Sequence, residues 1–248
     1  MIRHIQNTFR MRHFGLMTRP KKEGQYVVTR NGEMATLCHS AFQTDWFGEL
    51  GISPQTIVEL GPFDGGDISR FQAQYPNCRC VAVEADPERA AIVLVNTKGT
   101  EIEVVEAAAC DANGPINWFS SEINGKADAQ GSVYQHSDKY KSRFSFVNQR
   151  DATTVNGRRL ADLCAELEIT SIDLLHMDIE GAEYLALKGL GELRPKMIFL
   201  EMRSGMFESG ISITDTESLL ADMGYELALD LRVDRLYLHN SVNYNPSP

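Results

Sequence analysis

The feature that most constrains the fold is one strand–turn–helix unit near the start of a long alternation. Thr56-Ile57-Val58-Glu59-Leu60 reads as a buried strand, Gly61-Pro62-Phe63-Asp64-Gly65 as a tight turn, and 66–75 as a helix. The same rhythm continues. Strands are predicted at 79–84, 101–107, 172–177 and 196–200, and helices at 87–97, 157–167 and 182–190. Pro87 sits in a first helical turn, where its missing N–H costs nothing. Strands alternating with helices require right-handed crossovers and a parallel sheet covered on both faces. The tail changes rhythm. A helix at 215–223 stops at Gly224, and strands at 225–231 and 235–239 follow so closely that they must pair antiparallel.

Two segments fall outside the alternation. Residues 111–154 are polar and punctuated by Gly114, Gly125 and Gly131. A structureless loop of that length is improbable in a compact domain, so short β segments at 116–119 and 144–147 and a mobile lid are expected. Residues 1–30 carry five arginines and two lysines against Glu23, about +6, which leaves about −16 on the rest of a chain whose net charge is −10. Charges interrupt the apolar start, so a secretory signal is not expected there; residues 1–50 are read as a helical extension and 51–248 as the main domain. The acidic body disfavours a nucleic-acid binder. No apolar run reaches the roughly 18–20 residues that span a bilayer. A basic N-terminus facing an acidic body makes a homo-oligomer a reasonable expectation. Five cysteines with no C-x-x-C pair indicate neither a disulfide framework nor a zinc ribbon, and a reduced, cytoplasmic setting follows.

Three groups of residues carry chemistry. In open α/β sheets ligands collect at the carboxyl ends of strands, beside turns such as 61–66. A dinucleotide fold places G-x-G-x-x-G there, but Phe63 stands at its second glycine. Glu59 and Asp64 add negative charge, which suits a cofactor carrying an ammonium and a sulfonium better than a pyrophosphate. Glu84 ends the second strand, 25 residues after Glu59, where a carboxylate can accept both ribose hydroxyls. Ala85 follows it, and Asp86 reads as a helix cap. Asp178 and Glu180 end the fourth strand, with Glu183 in the first turn of the next helix, where the dipole favours an acid.

On these residues the chain resembles the FkbM family of S-adenosylmethionine-dependent methyltransferases. The resemblance rests on Glu59-Leu60-Gly61-Pro62-Phe63-Asp64-Gly65, on Val83-Glu84-Ala85-Asp86-Pro87 and on Asp178-Ile179-Glu180-Gly181-Ala182-Glu183, and runs on to Ile198-Phe199-Leu200-Glu201. It implies a class I methyltransferase (Rossmann-like) α/β fold: seven strands, mostly parallel, closed by a C-terminal antiparallel hairpin. It implies S-adenosyl-L-methionine as cofactor and a hydroxyl of a sugar or secondary metabolite as acceptor. By position Glu59, Gly61 and Gly65, with Pro62 and Asp64, resemble the cofactor turn. Glu84, with Ala85, resembles the ribose site, and Asp178 lies beside the transferring methyl. Pro62-Phe63 replaces the family's frequent Ala-Asn, and His176 replaces a frequent lysine.

Methyl transfer to an alcohol needs alignment and a proton acceptor. Asp178, Glu180, Glu201 and His176 are the candidates at the strand ends, and His136 is one in the lid. Asp178, Glu201 and His176 are taken as the catalytic set. The acids could instead hold a hydrated magnesium ion that polarises the hydroxyl, but no adjacent Asp-Asp pair marks such a site, and no metal ligands are assigned. Two other functions stay open: a nicotinamide-dependent oxidoreductase, and a non-catalytic cofactor-binding partner protein.

Overall fold

The computed structural model describes residues 16–22, 25–30, 33–38, 47, 52–231 and 233–242. Leu16–Lys22 (β1), Gln25–Arg30 (β2) and Glu33–Cys38 (β3) form an antiparallel three-stranded sheet in that order. This corrects the expected helical extension over 16–38; residues 1–15 lie outside the described residues. Val27, Val28, Thr29 and Thr36 are β-branched, and Asn31-Gly32 between β2 and β3 is the strongest short hairpin signal a sequence carries.

The main sheet is built from Thr56–Leu60 (β4), Arg79–Glu84 (β5), Glu103–Glu106 (β6), Leu174–Met177 (β13), Met197–Glu201 (β14), Tyr225–Leu231 (β15) and Asp234–His239 (β16). Its order is β15-β16-β14-β13-β4-β5-β6. All neighbours from β14 to β6 run parallel, and β16 runs antiparallel to both β14 and β15. The seven-stranded, mostly parallel sheet with a terminal hairpin is therefore as the sequence implies. The chain reverses direction across the sheet between β4 and β13, and that switch point opens a crevice at the strand ends.

Side-chain parity explains the continuous apolar runs. Ile57, Leu174 and Phe199 face one core cluster, with Ile68 and Phe71 of helix α1 (Gly66–Gln74). Val58, Leu175 and Ile198 face the other cluster. Strands buried on both faces lose polar alternation. The first face also carries Glu59, His176 and, one pair further along, Glu201, because Glu59 pairs with His176 and His176 with Phe199 in register. Three ionisable groups thus sit in line with the core residues of one face.

Helix α2 (Pro87–Asn96) follows β5. The expected strand at 101–107 is shorter, and Ala108–Cys110 (β7) leaves the main sheet. With Gly114–Trp118 (β8) and Thr153–Arg159 (β12) it forms a second sheet of order β7-β12-β8. Residues 157–159, expected to open a helix, therefore belong to β12, and helix α4 spans Leu160–Glu166. Gly157 permits this pairing, since a Cβ there would lie 2.9 Å from both Cys110 Sγ and Ile116 Cγ2. Between β8 and β12 lie Ser121–Ile123 (β9), Lys126–Ala127 (β10), Asp138–Arg143 (helix α3) and Asn148–Gln149 (β11). The β segment expected at 144–147 is a turn instead: Phe144 caps α3, its ring tilted against Tyr140 at 5.0 Å between centroids. Helices α5 (Glu183–Lys188) and α6 (Ile213–Asp222) complete the domain, α6 entered through a Ser212–Asp215 capping box.

Gly61 ties the turn to the switch point. Its φ is +75°, and a Cβ on it would lie 2.0 Å from the Asp178 carbonyl oxygen. Gly61→Ala is expected to cost about 2–3 kcal/mol, from the left-handed conformation and the forced separation of β4 from β13. The midpoint of urea unfolding reports it, and an unchanged midpoint would show that the two strand ends can part freely.

Candidate active site

Two connected recesses flank Gly61 at the carboxyl ends of the strands. One is an apolar slot lined by Val83, Ala85, Ala107, Trp118, Val133 and Ile179, with the Glu84 carboxyl at its edge. The other is a cleft of about 300 Å³ whose lining includes Glu59, Asp64, His176, Asp178, Glu201 and Asp234. Pro62 and Phe63 also line the cleft. The structure thus gathers six of the seven expected cofactor residues around Gly61. Gly65 stands apart: it caps α1 in a left-handed conformation, and a Cβ there would meet Thr97 and Val93 of α2.

Glu84 is 6% exposed and accepts a hydrogen bond from the Asp86 N–H at 2.9 Å. Burial pushes its carboxyl up to about 7, outweighing the N–H groups of Asp86, Ala85 and Phe63 that face it. The sign of the linkage follows. The unfolded chain holds Glu84 near the ordinary glutamate value, so its contribution to stability is complete below that value. That contribution is lost as pH rises through about 7. The free protein should therefore melt several degrees lower at pH 8 than at pH 5.5 through this group. Glu84→Gln should flatten that slope in a calorimetric pH series; an equal slope would assign it elsewhere.

Asp86 does more than cap α2. One oxygen accepts from the N–H groups of Glu88 and Arg89. The other accepts from Trp118 Nε1 at 3.1 Å and Ser120 Oγ at 2.7 Å. One buried carboxylate thus fixes the turn after β5 to the insertion. The insertion is anchored again where Ser132 Oγ donates to the Glu180 carbonyl at 2.7 Å, and Ala129 lines the cleft.

On the cleft floor His176 Nδ1 lies 3.0 Å from Glu59 Oε1, with Phe199 stacked on the ring at 5.5 Å. Burial opposes charge on His176, but the hydrogen bond and charge of Glu59 prevail and raise its pKa. The second Glu59 oxygen, Oε2, is buried and has no hydrogen-bond partner among the described residues. His136, the lid candidate, is elsewhere: it is buried, stacks on Tyr140 at 3.8 Å, and burial lowers its pKa.

Asp178 lies open to solvent at the cleft, although protein rings it. That enclosure, and then the neighbouring Glu201 carboxylate, raise its pKa. Glu201 is 8% exposed and is gripped by Arg203, with Nε donating to Oε2 at 2.8 Å and a second ion-pair contact of 2.6 Å to Oε1. Glu180 holds a positive φ of 49°, a conformation costly for any residue but glycine and often kept at functional sites. Gly181 follows with φ +97°, and a Cβ there would strike the Phe207 ring at 2.6 Å. Glu183 is buried in the first turn of α5, and burial pushes it up to about 8.

Sequence reasoning missed Asp234. Asp234 is 4% exposed, and burial pushes it up to about 8. It reaches the cleft only because β16 pairs antiparallel with β14, which sets Asp234 opposite Glu201. Trp118 of β8 lines the slot and donates its Nε1–H to Asp86.

A seven-stranded sheet of this order, with a Gly-rich first turn, an acid ending the second strand and acids ending the fourth, is the class I methyltransferase fold. Residues 64–227 match the family model described as the methyltransferase FkbM domain, and the chain belongs to that family. The 2-O-methyltransferase NoeI of Sinorhizobium fredii (strain NBRC 101917 / NGR234) is 33% identical over 148 residues, 58% of this chain and 60% of that protein. The match thus spans less than two thirds of that relative's length. Among solved structures, fibrillarin from Methanococcus jannaschii is similar at 10% identity and TM-score 0.45, over 90% of this chain and 97% of that one. A TehB-like methyltransferase from Corynebacterium glutamicum is similar at 11% identity and TM-score 0.41, over 78% of this chain and 88% of that one.

Proposed function

We propose that this chain transfers a methyl group from S-adenosylmethionine to a hydroxyl of a small-molecule acceptor, a sugar or secondary metabolite. The observation that carries this is the division of the crevice at Gly61. An apolar slot with a buried acid at its edge lies on one side, and a cleft of carboxylates on the other. The apolar slot is read as the adenine side, Glu84 as the partner of the ribose hydroxyls, and Glu59 with Asp64 as the negative charge that meets the ammonium and sulfonium. The family and the name of the relative support the reading. A nicotinamide dinucleotide fits less well. Phe63 stands where its turn needs glycine, under the Arg89 guanidinium at 4.5 Å, and the carboxylates would repel a pyrophosphate.

In the reaction the acceptor hydroxyl passes its proton to Asp178. S-adenosylmethionine, which Glu59, Glu84 and the turn at 61–64 would hold, would supply a sulfonium-activated methyl group to the hydroxyl oxygen. Glu201, held by Arg203, orients the acceptor beside Asp178. His176 acts through Glu59: it fixes one oxygen of that carboxylate and turns the other toward the cofactor ammonium. Calorimetric titration with S-adenosylmethionine and with NAD, then transfer of labelled methyl to a panel of sugars and alcohols, tests the reading. Binding of NAD alone would overturn it.

The insertion at 111–154 is read as the lid. Residues 120–145 should exchange amide hydrogens more slowly when S-adenosylhomocysteine and an acceptor are bound. Equal exchange in both states would make the insertion a fixed wall.

A further inference from the structure

We propose that the acidic half of the cleft binds one hard divalent cation, magnesium or manganese, on Asp178, Glu180 and Glu201, with the buried Asp234 carboxylate adding its charge to the site. Asp178, Glu180 and Glu201 each offer an oxygen, and the three oxygens lie within 4.8 Å of one another. Oxygens around one such cation, at about 2.0–2.6 Å from it, are separated by no more than about 4–5 Å. The donor set is all carboxylate, which selects a hard cation over zinc or copper.

Asp234 supplies independent support. It is 96% buried by its 4% exposure, lines the same cleft as Asp178 and Glu201, and its Oδ2 has no hydrogen-bond partner among the described residues. A buried, unpartnered carboxylate oxygen is costly unless a cation or proton meets it. Its position makes the cost sharper. Asp234 and Glu201 are direct cross-strand partners, and like charges in that relation destabilise a sheet. Glu180 Oε2 is likewise buried with no partner among the described residues. Arg203 forms a direct ion pair with Glu201, one positive charge against several carboxylates. Its grip on Glu201 resembles the outer hydrogen bonds that orient carboxylate ligands in metal sites. The other cluster of possible ligands, Glu59, Asp67 and His176, differs, because Nδ1 of its histidine is already engaged by Glu59.

The cation's role rests on the methyl-transfer reading: bound through one oxygen of Asp178, it would hold the acceptor oxygen in line with the sulfonium and ease the loss of its proton to the second oxygen of Asp178. Its binding does not rest on that reading. The test uses the full chain saturated with S-adenosylhomocysteine. Manganese is titrated and followed by electron paramagnetic resonance, and magnesium is then added as competitor. One manganese per chain, displaced by magnesium, is expected. Glu180→Gln and Asp234→Asn should each weaken it at least tenfold, while S-adenosylhomocysteine affinity and the circular dichroism spectrum stay as in the wild type. Thermal melting of the wild type with and without magnesium serves as a second measurement should either variant fail to fold, and a rise in Tm is expected. No manganese bound, or equal binding in wild type and both variants, would overturn the site, as would an unchanged Tm if the variants do not fold. Manganese binding in a protein that ignores S-adenosylhomocysteine would keep the site and reject the methyltransferase reading.

Discussion

Replacing Asp178 with asparagine is expected to lower turnover by about 10²–10⁴ while leaving cofactor affinity near its original value. That range is what a positioned proton acceptor contributes. Asn preserves size and most hydrogen bonding but cannot take the proton. Asp178 ends β13 at the switch point, beside the turn that holds Gly61, and Glu201 lies close enough to share a cation with it. Its raised pKa gives a second signature. Activity should fall as pH drops through that pKa, because the protonated acid accepts nothing, and the asparagine variant should lose this dependence. Steady-state rates over a pH series read both effects. If His176→Gln shows the larger loss and retains the Asp178 profile, the base is the histidine. If Asp178→Asn lowers stability and keeps turnover, the residue is a structural cap.

Replacing Glu84 with alanine is expected to weaken S-adenosylmethionine binding about a hundredfold. Two charge-assisted hydrogen bonds to ribose hydroxyls are worth about 1.5–3 kcal/mol each. Part of that must repay the proton that the buried carboxyl holds near neutral pH. The loss should therefore be larger above pH 8, where the wild-type carboxylate is charged without ligand. Calorimetric titration at pH 6.5 and 8.5 separates the two contributions. An unchanged dissociation constant at both values would place the ribose elsewhere.

Much of this site was legible in sequence because its signals are local. Glu59 and Gly61 lie within one strand-and-turn, Glu84 closes the next strand, and Asp178 and Glu180 share one short segment. Each needs only periodicity and a turn to be placed at a strand end. The β1–β3 sheet was also locally encoded, by Val27-Val28-Thr29 and the Asn31-Gly32 turn signal. The error at 157–159 has a long-range cause. Gly157 and its neighbours pair with β7, 49 residues earlier, and Gly157 with β8, 43 residues earlier, and this pairing overrides local preference.

By itself the sequence determined the order of strands and helices, the antiparallel tail and the residues at the strand ends. These depend on side-chain period and backbone chemistry over roughly ten residues. Only the tertiary structure decided which of those ends meet. Antiparallel pairing of β16 with β14 brings Asp234 opposite Glu201, thirty-three positions away, and the fold-back of β8 sets Trp118 against Asp86. Such meetings are fixed by sheet order and register, in which burial on both faces selects one alignment, and a one-residue slip would turn every one of these carboxylates to the opposite face.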